Sequence, residues 1–257
     1  MILGLLILFI LPALAHVAVW QLGDHPGSWR TADWSSAGIL PTELPADSAE
    51  IMVLSARTGG LKGSLSVHSW LVLKVPGETR YRRYDVVGWG PALRRDNYAP
   101  DGKWYSNLPS IRHKVEGLNA AASLPTLLAA IESYEYGGRG DYTIWPGPNS
   151  NSFVAHALRA VPELGFTTSP LGVGRDFAPG PLFDFGAHGI RASLWGYAGF
   201  ALSERVGLEL NFLGLVTGLN PLSGKLVLPG FGEIRLWRAA PHLQHDEHDG
   251  TASTPSG

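Results

Sequence analysis

The sequence predicts an α+β fold, with an antiparallel sheet, a few helices and a β-rich C-terminal portion. Runs of β-branched and aromatic residues between Gly or Pro boundaries indicate strands at 51–57, 65–75 and 81–89. Apolar residues at helical spacing lie between 123 and 161, and short apolar runs joined by Gly-rich turns fill 191–236. With 32 Gly and 19 Pro in 257 residues, many turns and few long helices are expected.

The N-terminus carries the clearest targeting signal. Residues 1–23 contain no Asp, Glu, Lys or Arg, which is typical of a signal-peptide core or a membrane span. Residues 1–22 are therefore expected to direct the chain to a membrane. Ala13-Leu14-Ala15 resembles a cleavage site, whereas the apolar run continues to Trp20, which favours a retained anchor. Both outcomes, anchored and cleaved, stay open.

The rest of the chain divides into three parts. Residues 23–48 are polar and rich in turn residues, so they are expected to form a linker or a segment that wraps the domain. Residues 49–240 are expected to form a single α+β domain, in which 165–190 reads as loop. Residues 241–257 are polar and are expected to be a disordered tail.

Two helices are expected in the middle of the domain. The first begins at Ser123, because a polar residue and then Pro125 precede an apolar stripe that ends at Ile131. The second follows a Gly- and Pro-rich loop, 136–149, and carries its apolar residues between Phe153 and Val161. The stiff loop therefore delivers a polar run to the start of a helix.

Ser150 is the first candidate for chemistry, because it lies in the run Asn149-Ser150-Asn151-Ser152 at that helix start. Free N–H groups and the helix dipole there can stabilise an anionic nucleophile or an oxyanion. Ser and Asn are also the preferred helix-capping residues, so a purely structural role competes with the catalytic one.

His68 is the second candidate, in the middle of the second strand beside Trp70. An imidazole there could accept a proton from a nearby nucleophile, and Asp85 or Tyr84 on the next strand could orient it. The competing interpretation is a core histidine bonded to a backbone carbonyl.

Four parts of the sequence, two of them made of two segments each, resemble a known family. They are ADWSSAGILP (32–41), HSWLVLK (68–74) with YDVVGWG (84–90), WPGPNSNSFV (145–154), and LGLVTGLNP (213–221) with LPGFGEI (228–234). In these segments the chain resembles the bacterial family called Domain of Unknown Function 3750. The family name implies no function.

A more distant resemblance adds chemistry. Circularly permuted papain-like proteins, such as the NlpC/P60 and lecithin retinol acyltransferase-like groups, have a strand His first and later a helix opened by Asn-Cys-x-x-Phe-Val. Here His68 precedes Asn149-Ser150-Asn151-Ser152-Phe153-Val154, with Ser150 where the Cys would stand. The resemblance implies a permuted papain-like core with His68 as base. Because a serine hydroxyl does not ionise as a thiol does, Ser150 is either a serine version of the site or the remnant of a lost one.

Composition excludes several other functions. The chain has no Cys, so thiolate and disulfide chemistry are excluded, and its net charge of −2 without a basic stripe argues against nucleic acid. No cofactor or metal is expected, although His242, His245 and His248 of the tail could hold Zn²⁺ weakly. Two functions remain. The favoured one is a non-catalytic binding or assembly role in the envelope; the alternative is a serine-type hydrolase or acyltransferase acting on an envelope peptide, cell-wall fragment or lipid.

Overall fold

The chain forms two antiparallel sheets, a few helices and a β-rich C-terminal portion, as the sequence predicts. The structure, a computed structural model, describes residues 2–186 and 189–237. The tail expected at 241–257, with its three histidines, lies outside these residues. The expected domain boundaries stay predictions.

The first sheet has five strands in the order β4-β3-β2-β1-β5, and every pair of neighbours is antiparallel. These strands are β1 (Glu50–Arg57), β2 (Val67–Lys74), β3 (Arg82–Val86), β4 (Leu93–Arg95) and β5 (Ser110–Glu116). The three strands expected from the sequence thus form the centre of this sheet. Strands β4 and β5 fall in a stretch where the sequence shows mainly charges and turns.

Both faces of the five-stranded sheet are covered, which explains why β2 is buried along its whole length. On one face, Leu71 and Leu73 pack with the apolar sides of two helices. On the other, Trp70 and Val72 pack with Trp104. Residues from the segment 23–48 also reach this second face, where they pack against its cluster: Trp34, Leu40 and Leu44.

The helices follow the expected order, but the first of the two begins earlier than expected. The N-terminal helix comprises α1 (Ile2–Leu5), a π-helical turn (Leu6–Ile10) and α2 (Leu11–Gln21); the other helices are α3 (Gly117–Glu132) and α4 (Ser150–Arg159), with short 3₁₀ turns at Gly60–Ser64 and Pro162–Leu164. Helix α3 starts before Ser123 and contains Pro125, because Ala120 in its first turns is fully buried in the core.

The second sheet has seven strands that follow one another in chain order. They are β6 (Pro181–Gly186), β7 (Gly189–Leu194), β8 (Ala198–Ser203), β9 (Gly207–Phe212), β10 (Leu215–Asn220), β11 (Lys225–Leu228) and β12 (Gly232–Arg235). The prediction of loop over 165–190 is therefore wrong at its end, where β6 pairs with β7.

Candidate functional site

The start of helix α4 is capped by Asn149. Its side-chain oxygen accepts hydrogen bonds from the backbone N–H groups of Asn151 (2.9 Å) and Ser152 (3.2 Å), and the Ser152 hydroxyl accepts one from the backbone N–H of Asn149 (2.6 Å). This reciprocal pattern is a capping box. Ser150 is the first helical residue and is buried. The capping role considered for Ser150 thus belongs to Asn149 and Ser152.

Asn151 fastens this helix start to strand β2. The Ser69 hydroxyl donates to its side-chain oxygen at 2.8 Å. Its amide group donates to the carbonyls of Val67 and Val173, both at 2.9 Å. All the polar atoms of the Asn151 side chain are therefore engaged in holding α4 to one face of the five-stranded sheet.

His68 points to the opposite face of that sheet. Successive side chains of a strand alternate between faces, so His68 lies on the side away from Ser69. Its ring stacks on Trp104, with centroids 3.6 Å apart and planes inclined by 5°, and it is 3% exposed. The imidazole thus lies on the face of β2 opposite to Ser69, the residue that binds Asn151 at the start of α4.

Asp85 shares the face of His68, but its carboxylate binds another partner. Arg83 Nε donates to Asp85 Oδ2 at 2.6 Å, and both side chains are 1% exposed. The Arg83 guanidinium also stacks over the Trp70 ring at 4.1 Å and donates to the Ala99 carbonyl at 2.8 Å. Tyr84, the other residue considered for orienting the imidazole, packs in the core on the α4 side.

The charges in this cluster are set by burial. Burial lowers the pKa of His68 well below its ordinary value, and the positive charge of Arg83 lowers it further. Burial raises the pKa of the Asp85 carboxyl, and Arg83 opposes that rise. His68 is therefore neutral near pH 7. Its Nε2 atom and Asp85 Oδ1 are buried with no hydrogen-bond partner among the described residues.

Two residues of the buried cluster around His68, Arg83 and Trp104, were not identified from the sequence. Arg83 and Asp85 share one face of β3 and Tyr84 lies on the other, so the strand pattern already pairs the arginine with the carboxylate. Trp104 lies in an irregular stretch between β4 and β5, where periodicity gives no signal.

A separate cavity of about 610 Å³ lies between the C-terminal half of α4 and the seven-stranded sheet. Three arginines line it, Arg159, Arg191 and Arg205, together with Asp184. This volume is within the range of small-molecule sites, roughly 300–1,000 Å³. Neither His68 nor Ser150 lines the cavity.

The N-terminal helix is long and apolar enough to cross a membrane: Leu3–Gln21 has 19 residues with a mean hydropathy of 2.3. A signal sequence has the same properties. Most of the helix surface is exposed, while Phe9 and Ala13 are buried.

Comparison with known proteins gives a family and no function. No curated protein and no solved structure matches the chain, so the permuted papain-like core stays a prediction. The catalytic roles expected for His68, Ser150 and Asp85 also stay predictions. The family described as "Protein of unknown function (DUF3750)" matches residues 48–177, about half of the chain, which includes the five-stranded sheet, α3 and α4. The chain therefore belongs to the DUF3750 family, as its sequence segments predict.

Proposed function

We propose that this chain is a membrane-attached protein of the bacterial cell envelope with a non-catalytic role in binding or assembly, on a core related to permuted papain-like domains. The observation that carries the proposal is that His68 lies on the face of β2 opposite to Ser69, to which Asn151 binds the helix start beside Ser150. A general base must come within hydrogen-bond reach of the hydroxyl that it deprotonates. The His68 imidazole is stacked on Trp104, whereas Asn151, the residue next to Ser150, is bonded to the other face of the strand.

The residues that the papain-like pattern shares with this chain have structural tasks that support the proposal. Asn149 and Ser152 cap the helix, and Asn151 ties it to Ser69. The arginine-lined cavity beside α4 provides a concave surface of ligand size away from these residues. A binding role needs no nucleophile, and in such a protein the Asn-Ser-Asn-Ser run would serve to hold α4 on the sheet.

A serine-reactive fluorophosphonate probe tests the absence of catalysis. We expect the folded, detergent-solubilised full chain to remain unlabelled under conditions that label a known serine hydrolase. Ser150→Ala and the neighbouring Ser152→Ala form a matched pair, and His68→Gln completes the set. Labelling of the folded wild type that is lost in Ser150→Ala and in His68→Gln, but retained in Ser152→Ala, would establish the serine hydrolase or acyltransferase instead.

Fractionation of cells tests the membrane attachment. The full chain should pellet with membranes and resist extraction by carbonate, because an uncharged 19-residue apolar helix is favoured in lipid. Leu8→Arg, in the helix, should weaken this attachment, whereas Leu61→Arg, at an exposed position outside the helix, should not. N-terminal sequencing of the mature chain separates a retained anchor from cleavage after Ala15. An unprocessed chain in the soluble cytoplasm would contradict the proposal.

A further inference from the structure

The seven-stranded sheet has one face without charged side chains. The strand register sets residues of neighbouring strands side by side, so that they form rows across the sheet. One such row consists of Phe185, Ile190, Leu202, Leu208, Leu219 and Leu226. We call the side of β6–β12 that carries this row the apolar sheet face. The charged residues of these strands lie on the other side: Asp184, Arg191, Glu209, Lys225, Glu233 and Arg235.

The two sides of this sheet are inverted relative to an ordinary half-buried sheet, which hides its apolar side and exposes its polar one. The polar side is turned inward at the centre of the sheet, with Glu209 at 4% and Asn211 at 7% exposure, whereas Asp184, Glu233 and Arg235 nearer its ends are exposed. The apolar sheet face is turned outward, with Phe185 at 75%, Phe200 at 41% and Leu208 at 45%. A continuous exposed apolar surface of this kind marks a contact with another apolar body.

The N-terminal helix indicates what that body is. Phe9 packs against Phe212, at the end of β9 and on the apolar sheet face, with ring centroids 5.8 Å apart. The same helix has the length and apolarity of a membrane span, and most of its surface is exposed. The helix and the apolar sheet face thus form one continuous apolar surface.

We propose that the apolar sheet face rests on the hydrocarbon boundary of the same lipid bilayer that holds the N-terminal helix. The strands lie along the membrane and do not cross it, because an open sheet would leave the unpaired backbone groups of its edge strands in hydrocarbon. Strands of six residues, about 20 Å long, are also shorter than the roughly 30 Å hydrocarbon core. Trp195 and Tyr197, exposed in the turn between β7 and β8, suit the headgroup level.

This inference rests on the proposed membrane attachment and is independent of catalysis. The absence of native cysteine allows a clean test with single-cysteine variants of the full chain carrying an environment-sensitive NBD fluorophore. The test positions are Phe185→Cys, on an edge strand where truncation removes little packing, and Leu208→Cys in the sheet centre. Leu118→Cys, at the 89%-exposed Leu118 of α3, is the matched control outside the sheet.

Each labelled chain is reconstituted in phosphatidylethanolamine–phosphatidylglycerol vesicles and exposed to spin-labelled lipid or to aqueous iodide. We expect the probes at 185 and 208 to lose emission with spin-labelled lipid and to resist iodide, and the probe at 118 to show the reverse. Equal iodide quenching at all three positions would overturn the inference and leave the helix attachment intact. Protection from both quenchers at 185 and 208 would also overturn it, because a second protein copy would then cover the face. Failure of the chain to enter the vesicles would contradict the membrane attachment itself.

Discussion

The imidazole of His68 lies flat on the indole of Trp104, 3.6 Å between centroids, within the buried cluster that also holds Arg83 and Asp85. This stack accounts for a neutral imidazole: burial and the nearby Arg83 both disfavour the protonated ring. The flat, partly polar His68 ring thus packs against the aromatic side chains of Trp70 and Trp104.

The buried neutral His68 should make the protein sensitive to mild acid. Its pKa is near 6.5 in the unfolded chain and well below that in the folded one, so below pH 6.5 the unfolded state binds more protons and stability falls as pH falls. One such group contributes a slope of about 1.4 kcal/mol per pH unit. His68→Gln should therefore reduce the slope of the unfolding free energy against pH, measured between about pH 6.5 and 5.

Urea denaturation at several pH values measures that slope. The slope, and not the absolute stability, is diagnostic, because His68→Gln also removes the stack on Trp104. His113 and His156, whose pKa values burial also lowers, leave a residual slope in the variant. A slope equal to that of the wild type would show that His68 does not hold its neutral form on folding.

Asn149 should matter more to stability than Ser150. Asn149→Ala removes the acceptor for two N–H groups of α4 and two donated bonds, to the carbonyls of Ile144 and Val173. We expect a loss of about 2 kcal/mol, at the upper end for helix caps. Ser150→Ala is the matched control, with a smaller loss. Urea denaturation followed by tryptophan fluorescence compares them, and equal losses would contradict the assignment of the cap to Asn149.

The hydrogen bond between Ser69 and Asn151 should be measurable by a double-mutant cycle. Ser69→Ala leaves the Asn151 oxygen without its donor, and a loss of about 1 kcal/mol is expected. Ser55 lies opposite Ser69 in the β1–β2 register and provides a matched control, Ser55→Ala. Ser69→Ala and Asn151→Ala should be non-additive, since each removes the same bond. Strict additivity would mean that the bond does not couple α4 to β2.

The ion pair of Arg175 and Glu209 should hold the second sheet onto the rest of the chain. Burial works against the Arg175 charge, but the carboxylates of Glu209 and Asp176 outweigh it and raise the pKa of Arg175. Glu209→Gln leaves Asp176 as the remaining charged partner of buried Arg175 and should cost less than the roughly 3–5 kcal/mol of a wholly unpaired buried charge. The double variant Arg175→Met with Glu209→Leu should recover most of this stability in thermal denaturation. A Glu209→Gln chain as stable as the wild type would show that the pair contributes nothing.

The sequence predicted most elements but not the relation between its two candidate residues. The alternation of side chains along β2 puts Trp70 on one face of the sheet and Leu71 on the other. It did not say which side α4 would cover, because that depends on contacts such as Ser69–Asn151, more than 80 positions apart in the chain. To predict a site built from distant segments, one must know which face of the sheet each segment covers, as well as the order of the residues in the chain.

Other differences have local causes. Pro125 and Ser123 suggested a helix start, yet α3 extends back to Gly117 because Ala120 gains a buried position. Strand β6 was missed because glycine and proline flank it. Its backbone is held as a strand by pairing with β7 at the edge of the second sheet. Conversely, the capped start of α4 was predictable, because its cap residues and apolar stripe are both local signals.

The packing of Phe9 and Ala13 links the fate of the N-terminal helix to the timing of folding. Ala15 lies in the middle of α2, and a peptide bond inside a helix is open to a protease only after local unfolding. Any removal of the leader must therefore precede the docking of the helix beside Phe212. A chain that folds before it meets the peptidase keeps its helix. In a chain exported as proposed above, the choice between a retained anchor and cleavage after Ala15 would thus depend on whether folding or proteolysis comes first.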